Sequence, residues 1–208
     1  MRRCVIVGGA VIEDYAAVRS YLREGDVFFF CDSGLRHREA LGVTADLIIG
    51  DFDSWEKPEK ETEVIVLPRK KDDTDTVFAV KEGIRRGFDD FLLLGASGQR
   101  LDHTLVNVYA LLMLEEQGKH AVLVDDYSEM EVVGSRKAEI EDTFPYFSLV
   151  SIAGTARHVT IENAVFPLTD GEIRSSYQFA TSNEVLPGKT ASVRAGEGKL
   201  LLIRNRKA

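Results

Sequence analysis

The chain has 208 residues, which at the ~150 residues typical of a domain makes one or two domains. Its composition, 44% hydrophobic and 29% charged, is that of an ordinary globular protein with enough apolar side chains for a core, and it removes the disordered, collagenous and low-complexity classes. Subtracting 34 Asp and Glu from 26 Lys and Arg leaves −8, and no basic tract interleaved with aromatics reverses that sign locally, so nucleic-acid and anionic-membrane binding are disfavoured.

In chain order, the run Cys4-Val5-Ile6-Val7 mimics a short signal peptide. Gly8-Gly9 interrupts it and Glu13-Asp14 follows at once, so a first β-strand explains it better. Val27 to Cys31, Leu47 to Ile49, Val64 to Leu67, Phe91 to Leu94 and Ala121 to Val124 are further brief apolar runs, the pattern of strands covered on both faces. Amphipathic stretches separate them, which predicts βαβ units and a sheet of six parallel strands. Val77, Val80 and Ile84 recur at helical spacing, as do Leu101, Leu105, Val108 and Leu112; both helices are expected to pack on the sheet through these residues. After Asp125-Asp126-Tyr127-Ser128 the texture changes. Short strand-like runs at 131–133, 139–141, 148–152, 159–161, 191–193 and 200–203 are separated by Gly, Pro, Asn and Asp with no helical stretch between. They predict an antiparallel sandwich or barrel of about 80 residues. The expected domains are therefore 1–125 and 126–208.

Cys4 and Cys31 each sit inside an apolar run and read as buried hydrophobes in a reducing compartment, without a disulfide framework. No window approaches the ~18 uninterrupted apolar residues of a membrane span, and neither end carries a lipidation signal, so a cytoplasmic location is expected.

The carboxylates fall in a pattern. Asp32 follows the second strand, Asp51 and Asp53 the third, Asp72, Asp73 and Asp75 the fourth, and Asp102 the fifth. In an open parallel sheet such loops emerge together at the carboxyl ends of the strands, where ligands bind, so acidic groups distant in sequence converge on one crevice. Gathered carboxylates repel, and their natural compensator is a hard divalent cation, above all Mg²⁺ shared with substrate phosphates. Thr74 and Asp75 open the Val77–Ile84 helix, whose free N–H groups favour phosphate. Ser97-Gly98-Gln99-Arg100 adds a backbone able to approach phosphate and a guanidinium suited to bidentate binding. Any single one of these acids at a helix start is more readily a cap than a catalyst; the occurrence of Asp in all four loops carries the functional reading.

Competing motifs are missing. No G-x-x-x-x-G-K-[ST] loop occurs, Gly8-Gly9 lacks dinucleotide-site spacing, His37, His103, His120 and His158 show no metal-ligand spacing, and there is no G-x-S-x-G elbow. Of the four histidines only His103, beside Asp102, stands near the predicted chemistry.

Taken in order, Gly50-Asp51-Phe52-Asp53-Ser54, Lys71-Asp72-Asp73-Thr74-Asp75, Gly98-Gln99-Arg100-Leu101-Asp102-His103 and Thr181-Ser182-Asn183-Glu184 resemble the thiamine pyrophosphokinase family across both predicted domains. The resemblance implies a Rossmann-like open parallel-sheet α/β domain that binds ATP and magnesium. It implies a carboxy-terminal antiparallel β-sandwich for thiamine binding and dimerisation, and a homodimer with active sites at its interface. It also implies transfer of the diphosphate of ATP to the hydroxyl of thiamine, giving thiamine diphosphate and AMP. By the same resemblance Asp51, Asp53 and Asp75 are the Mg²⁺ ligands; Asp32, Lys71, Asp72, Thr74, Gly98 and Arg100 surround the nucleotide; Asp102 orients substrate or metal; and Ser182 and Asn183 contact thiamine. Asp75, Arg100 and Asp102 would be the catalytic residues. Gln99 departs from the family pattern, which commonly has a second glycine before the arginine. Two rival readings remain: a diphosphokinase for another hydroxymethyl acceptor such as a pterin or pyrimidine, and a non-catalytic nucleotide or thiamine sensor.

Overall fold

Short clusters of β-branched and aromatic residues become strands, as their spacing predicts. β1 (Arg3–Val7), β2 (Val27–Cys31), β3 (Leu47–Gly50), β4 (Glu63–Val66), β5 (Asp90–Leu94) and β6 (His120–Val124) all run parallel, in the order β4-β3-β2-β1-β5-β6. This computed structural model describes residues 2–51, 62–70 and 72–206. They form two units, Met1–Asp126 and Tyr127–Ala208.

In the first unit β1, β2 and β3 are buried along their whole length, so both faces of the central sheet are covered. β4 differs from the expectation of a fully covered strand. It lies at the edge of the sheet, with Glu63 and Val66 exposed and Val64 and Ile65 half-buried. Short helical segments fill the early crossovers: α1 (Tyr15–Arg19), a 3₁₀ helix (Asp32–His37) and α2 (Arg38–Leu41). Two longer helices follow, α3 (Asp75–Arg85) and α4 (Leu101–Glu116).

α3 starts where Thr74 accepts the Val77 N–H at 3.3 Å, and it approaches the sheet through small residues. A Cβ at Gly83 would come within 2.6 Å of the Phe91 ring, so this glycine sets how closely the helix packs. Val80 is buried as expected, between Ala79 and Gly83. In α4 the buried face is Asn107, Val108, Ala110, Leu111 and Leu114. The expected stripe is corrected there: Leu101 and Leu105 are exposed, together with Val106 and Tyr109, and of the stripe only Val108 is fully buried.

The second unit is all antiparallel. β7 (Ser128–Val133), β13 (Leu200–Asn205) and β9 (Tyr146–Ser151) pair in that order, while β11 (Leu168–Arg174), β10 (Thr155–Glu162), β12 (Thr190–Arg194) and β8 (Ala138–Glu141) form a four-stranded sheet. Ile140, Phe147, Leu149, Val159, Ile161, Ile173, Val193, Leu200 and Leu202 fill one core between the two sheets, which makes the unit a sandwich rather than a barrel. β11 has no counterpart among the predicted strands, because Leu-Thr-Asp-Gly-Glu-Ile-Arg reads as a turn. The fold class is as expected, α/β with a parallel sheet and then an antiparallel sandwich. Cys4 and Cys31 are both buried and unbridged. Among the described residues no helix is long and apolar enough to cross a membrane.

Candidate active site

Parallel strands deliver all their carboxyl ends to one edge, and in the α/β unit a cavity of about 460 Å³ opens there. The chain leaves β1 toward β2, β3 and β4 on one side and returns to β5 on the other. Loops after β1 and β5 therefore diverge and leave a crevice between them. Gly9 and Ala10 line it from β1, and residues 95–100 from β5. Where the loops leave their strands, before they part, two glycines bring them into contact. A Cβ on either Gly8 or Gly95 would lie 2.5 Å from the carbonyl oxygen of the other. The Gly8 and Ala10 N–H groups donate to Leu94 and Gly95 carbonyls at 2.8 and 2.9 Å.

Three carboxylates also line the cavity: Asp32 after β2, Asp51 after β3 and Asp75 at the start of α3. Asp32 is buried and holds φ +37°, a left-handed conformation unusual for a non-glycine residue. Its backbone comes so close to Gly50 that a Cβ there would sit 2.9 Å from the Asp32 Cβ. Thr74 lines the cavity while capping α3. Asp72 is exposed and is not among the lining residues, and Asp73 pairs with Lys81 at 2.6 Å. Asp53 and Lys71 lie outside the described residues. Among the described residues no three carboxylate, imidazole or thiol groups approach closely enough to hold a metal by themselves. That donor chemistry, hard oxygen and spaced apart, fits an ion such as Mg²⁺ that takes most of its ligands from phosphate and water.

The β5–α4 loop is held from inside the fold. Asn107 donates its amide to the Ala96 carbonyl at 2.7 Å, Ser97 donates its hydroxyl to Asp125 at 2.8 Å, and Thr104 accepts the Gly98 N–H at 3.0 Å. The Gly98 N–H is thus already bonded, and what Gly98 offers a ligand is room, at φ +134° with no side chain. Arg100, also on the cavity, makes a two-point contact with Asp102 at 2.6 and 2.9 Å. Both are open to solvent, 68% and 64% exposed, and Asp102 does not line the cavity. The Arg100 guanidinium holds the Asp102 carboxyl well below the usual carboxylate range and is itself shifted upward by Asp102.

In the sandwich unit Ser182 and Asn183 follow a bend in which Ser182 takes φ +55° and donates its N–H to the Ser148 hydroxyl at 3.0 Å. Asn183 is 3% exposed and clasps the backbone of Phe166 in both directions: its oxygen accepts the Phe166 N–H at 3.0 Å and its amide donates to the Phe166 carbonyl at 2.8 Å. The Phe166 ring itself is 65% exposed.

A family model matches a stretch of each unit. Residues 18–123 match the thiamin pyrophosphokinase catalytic domain and residues 136–200 match the thiamin pyrophosphokinase vitamin B1 binding domain. The chain belongs to the thiamin pyrophosphokinase family. It is 22% identical to the thiamine pyrophosphokinase of Bacillus subtilis over 213 residues, covering 99% of each chain. Among solved structures it resembles the B. subtilis protein (TM-score 0.87, 20% identity, 100% of both chains) and that of Geobacillus thermodenitrificans (0.83, 25%, 100% of this chain and 99% of the other). It also resembles the yeast protein (0.77, 13%, 98% and 86%). Members of the thiamin pyrophosphokinase family are diphosphotransferase enzymes, and so is this chain.

Within this family member the cavity brings together Asp32, Asp51, Thr74, Asp75, Gly98 and Arg100 of the predicted site residues. Asp72 and Asp102 stand outside its lining, and Ser182 and Asn183 belong to the other unit. Sequence reasoning missed Thr104 and Asn107. Their signal was faint, a polar residue on each of the first two turns of a helix that begins beside the Gly-Gln-Arg loop. His103, the histidine singled out by its place beside Asp102, does line the cavity.

Proposed function

We propose that the enzyme transfers the β,γ-diphosphate of ATP to the hydroxyl of thiamine, releasing AMP and thiamine diphosphate. The observation that carries this reading is that Asp32, Asp51 and Asp75 share one cavity with the Arg100 loop, in a chain of this family. Asp51 and Asp75, with Asp53, would hold Mg²⁺, and the ion when bound neutralises charge on the phosphate oxygens. Asp32, Lys71, Asp72, Thr74 and Gly98 surround the nucleotide in this reading. The hydroxyl oxygen of thiamine bonds to the β-phosphorus as the bond from that phosphorus to the α,β-bridging oxygen breaks, and the bridging oxygen departs with AMP.

Arg100 stabilises the negative charge that builds on the transferred group, for which it must turn from Asp102 toward phosphate. The Asp102 carboxylate released by that turn, or a water it holds, takes the hydroxyl proton. For thiamine the sandwich unit offers Phe166 as a flat apolar surface, set in place by Asn183, with Ser182 beside it. A homodimer accompanies this reading. The apolar face that α4 leaves exposed, Leu101, Leu105, Val106 and Tyr109, supports an interface between copies. The short buried thiols and absence of a disulfide among the described cysteines suit a cytoplasmic enzyme.

The test is AMP formation from Mg-ATP by purified protein with thiamine, hydroxymethylpterin or no acceptor, and with EDTA as control. Thiamine-dependent, EDTA-sensitive AMP is the expected result. AMP formed only with the pterin would move the acceptor, and nucleotide binding without AMP under any condition would replace the enzyme with a sensor.

A further inference from the structure

One buried histidine plays no part in the chemistry above, yet it joins two segments that line the cavity side by side. His37 is 2% exposed and closes the 3₁₀ helix that Asp32 opens. Its Nε2 lies 2.9 Å from the carbonyl oxygen of Ala10 and its Nδ1 lies 2.7 Å from the Tyr15 hydroxyl. A carbonyl can only accept, so Nε2 carries the proton. Nδ1 of the neutral ring then accepts from Tyr15. Burial pushes the His37 pKa below its usual 6.5, with the neighbouring Arg36 charge acting the same way, which keeps this neutral form at physiological pH.

Ala10 is held through both of its backbone groups. Its carbonyl takes the His37 proton donor and its N–H donates to the Gly95 carbonyl at 2.9 Å. A few residues on, the Asp126 carboxylate accepts the Glu13 and Asp14 N–H groups at 2.8 to 3.2 Å, and Asp14 caps α1 through Ala17. The segment between β1 and α1 has no regular structure but is bonded at Gly8, Ala10, Glu13 and Asp14, and its Gly9 and Ala10 line the cavity. Packed against them, with Ser33 so close that a Cβ on Gly9 would lie 2.0 Å from its hydroxyl, are Asp32 and Ser33, on the same 3₁₀ helix that ends in His37. One side chain therefore ties the Asp32 turn to the loop it packs against.

We infer that His37 is a positioning residue for the nucleotide, clamping the Gly9–Ala10 loop against the Asp32 turn so that both present one pre-formed lining to a bound ligand. The inference rests on the cavity being the nucleotide site, as proposed above. The ring touches neither ligand nor reacting atoms; it acts through Ala10 and Asp32. A site pre-formed in this way lowers the ordering cost of binding, so its loss appears in nucleotide affinity.

The experiment compares His37→Leu, His37→Gln and Tyr15→Phe with the parent enzyme, reading KM for Mg-ATP, KM for thiamine, kcat and thermal midpoint, with Mg-ATP affinity by calorimetry. The loss of one bond to the Ala10 carbonyl predicts for His37→Leu a rise of about tenfold in KM and Kd for Mg-ATP, with thiamine KM unchanged. His37→Gln, whose amide can still donate to the Ala10 carbonyl, should recover most of that loss. Tyr15→Phe, which removes only a hydroxyl at the edge of the network, should shift nucleotide affinity about twofold in the same direction. Unchanged nucleotide affinity in His37→Leu, or a loss that Gln does not repair, overturns the inference. So do equal rises in both KM values alongside a lowered thermal midpoint, the mark of a residue that only supports the fold. Should His37→Leu fail to fold, Tyr15→Phe decides alone, and unchanged nucleotide affinity there overturns it. A parent protein that does not bind Mg-ATP overturns the nucleotide site itself and this role with it, whereas one that binds without turnover leaves the affinities as the readout.

Discussion

In the α/β unit the polar side chains of the candidate site turn toward a cavity, whereas in the sandwich unit the most characteristic one turns into the fold. Asp32, Asp51 and Asp75 come from three separate loops and share an open wall. Asn183 is buried and fully engaged with the backbone of Phe166, and the group that faces solvent there is an apolar ring. The difference follows from what each unit has to do for its ligand. A highly charged phosphate chain requires direct charge compensation, while an aromatic heterocycle requires a flat surface held still. In the first unit substitutions should change chemistry and leave the fold intact; in the second they should disturb the fold as they disturb binding.

The largest effect that could break this contrast is loss of a carboxylate from the wall. Asp51→Asn or Asp75→Asn should lower Mg²⁺-dependent turnover on the order of 100-fold or more with an unchanged unfolding midpoint, read by AMP release and by thermal melting. Full activity in either variant would remove the metal assignment. Next comes Asn183→Ala, which leaves the Phe166 N–H and carbonyl unmatched. It should cost about 1–3 kcal/mol of stability by chemical denaturation and raise the KM for thiamine as well. Phe166→Ala should separate those two effects, raising the thiamine KM roughly 3- to 10-fold with little change in stability, because the ring is already exposed. The smallest effect sharpens the comparison from the other side. Thr104 sits on the cavity but bonds Gly98 rather than pointing a free group at a ligand, so Thr104→Val should cost only about 1 kcal/mol of stability and leave the thiamine KM unaltered.

The positions of the parallel strands and the convergence of their acidic loops were legible because both depend on local signals. A run of β-branched residues marks a buried strand, and an aspartate just past it can only emerge at the carboxyl edge. What was not legible depended on partners. Leu101 and Leu105 have helical spacing, but the first turns of α4 leave them open to solvent, and the packed face begins at Asn107 and Val108. β11 was hidden because Asp170 and Gly171 look like a turn when their antiparallel neighbour β10 is not in view. Asn183 stood out in the motif, yet its role as a clasp on Phe166, 17 residues earlier, has no trace in spacing. His37 gave no signal at all. Its importance lies in the Ala10 carbonyl, and backbone groups carry no identity in a sequence.

The meeting of Gly8 with Gly95 bears on how such an enzyme can vary over evolution. With a Cβ at either position 2.5 Å from the opposing carbonyl oxygen, no other residue fits without prising the two loops apart. That part of the cavity floor is bare main chain, which looks the same whatever the neighbouring side chains become. Drift is thereby channelled to the rim, where Gln99 and His103 are exposed and can be exchanged one at a time. A saturation-mutagenesis map of this molecule should accordingly show a narrow intolerant seam at Gly8 and Gly95 bordered by permissive positions a few residues away.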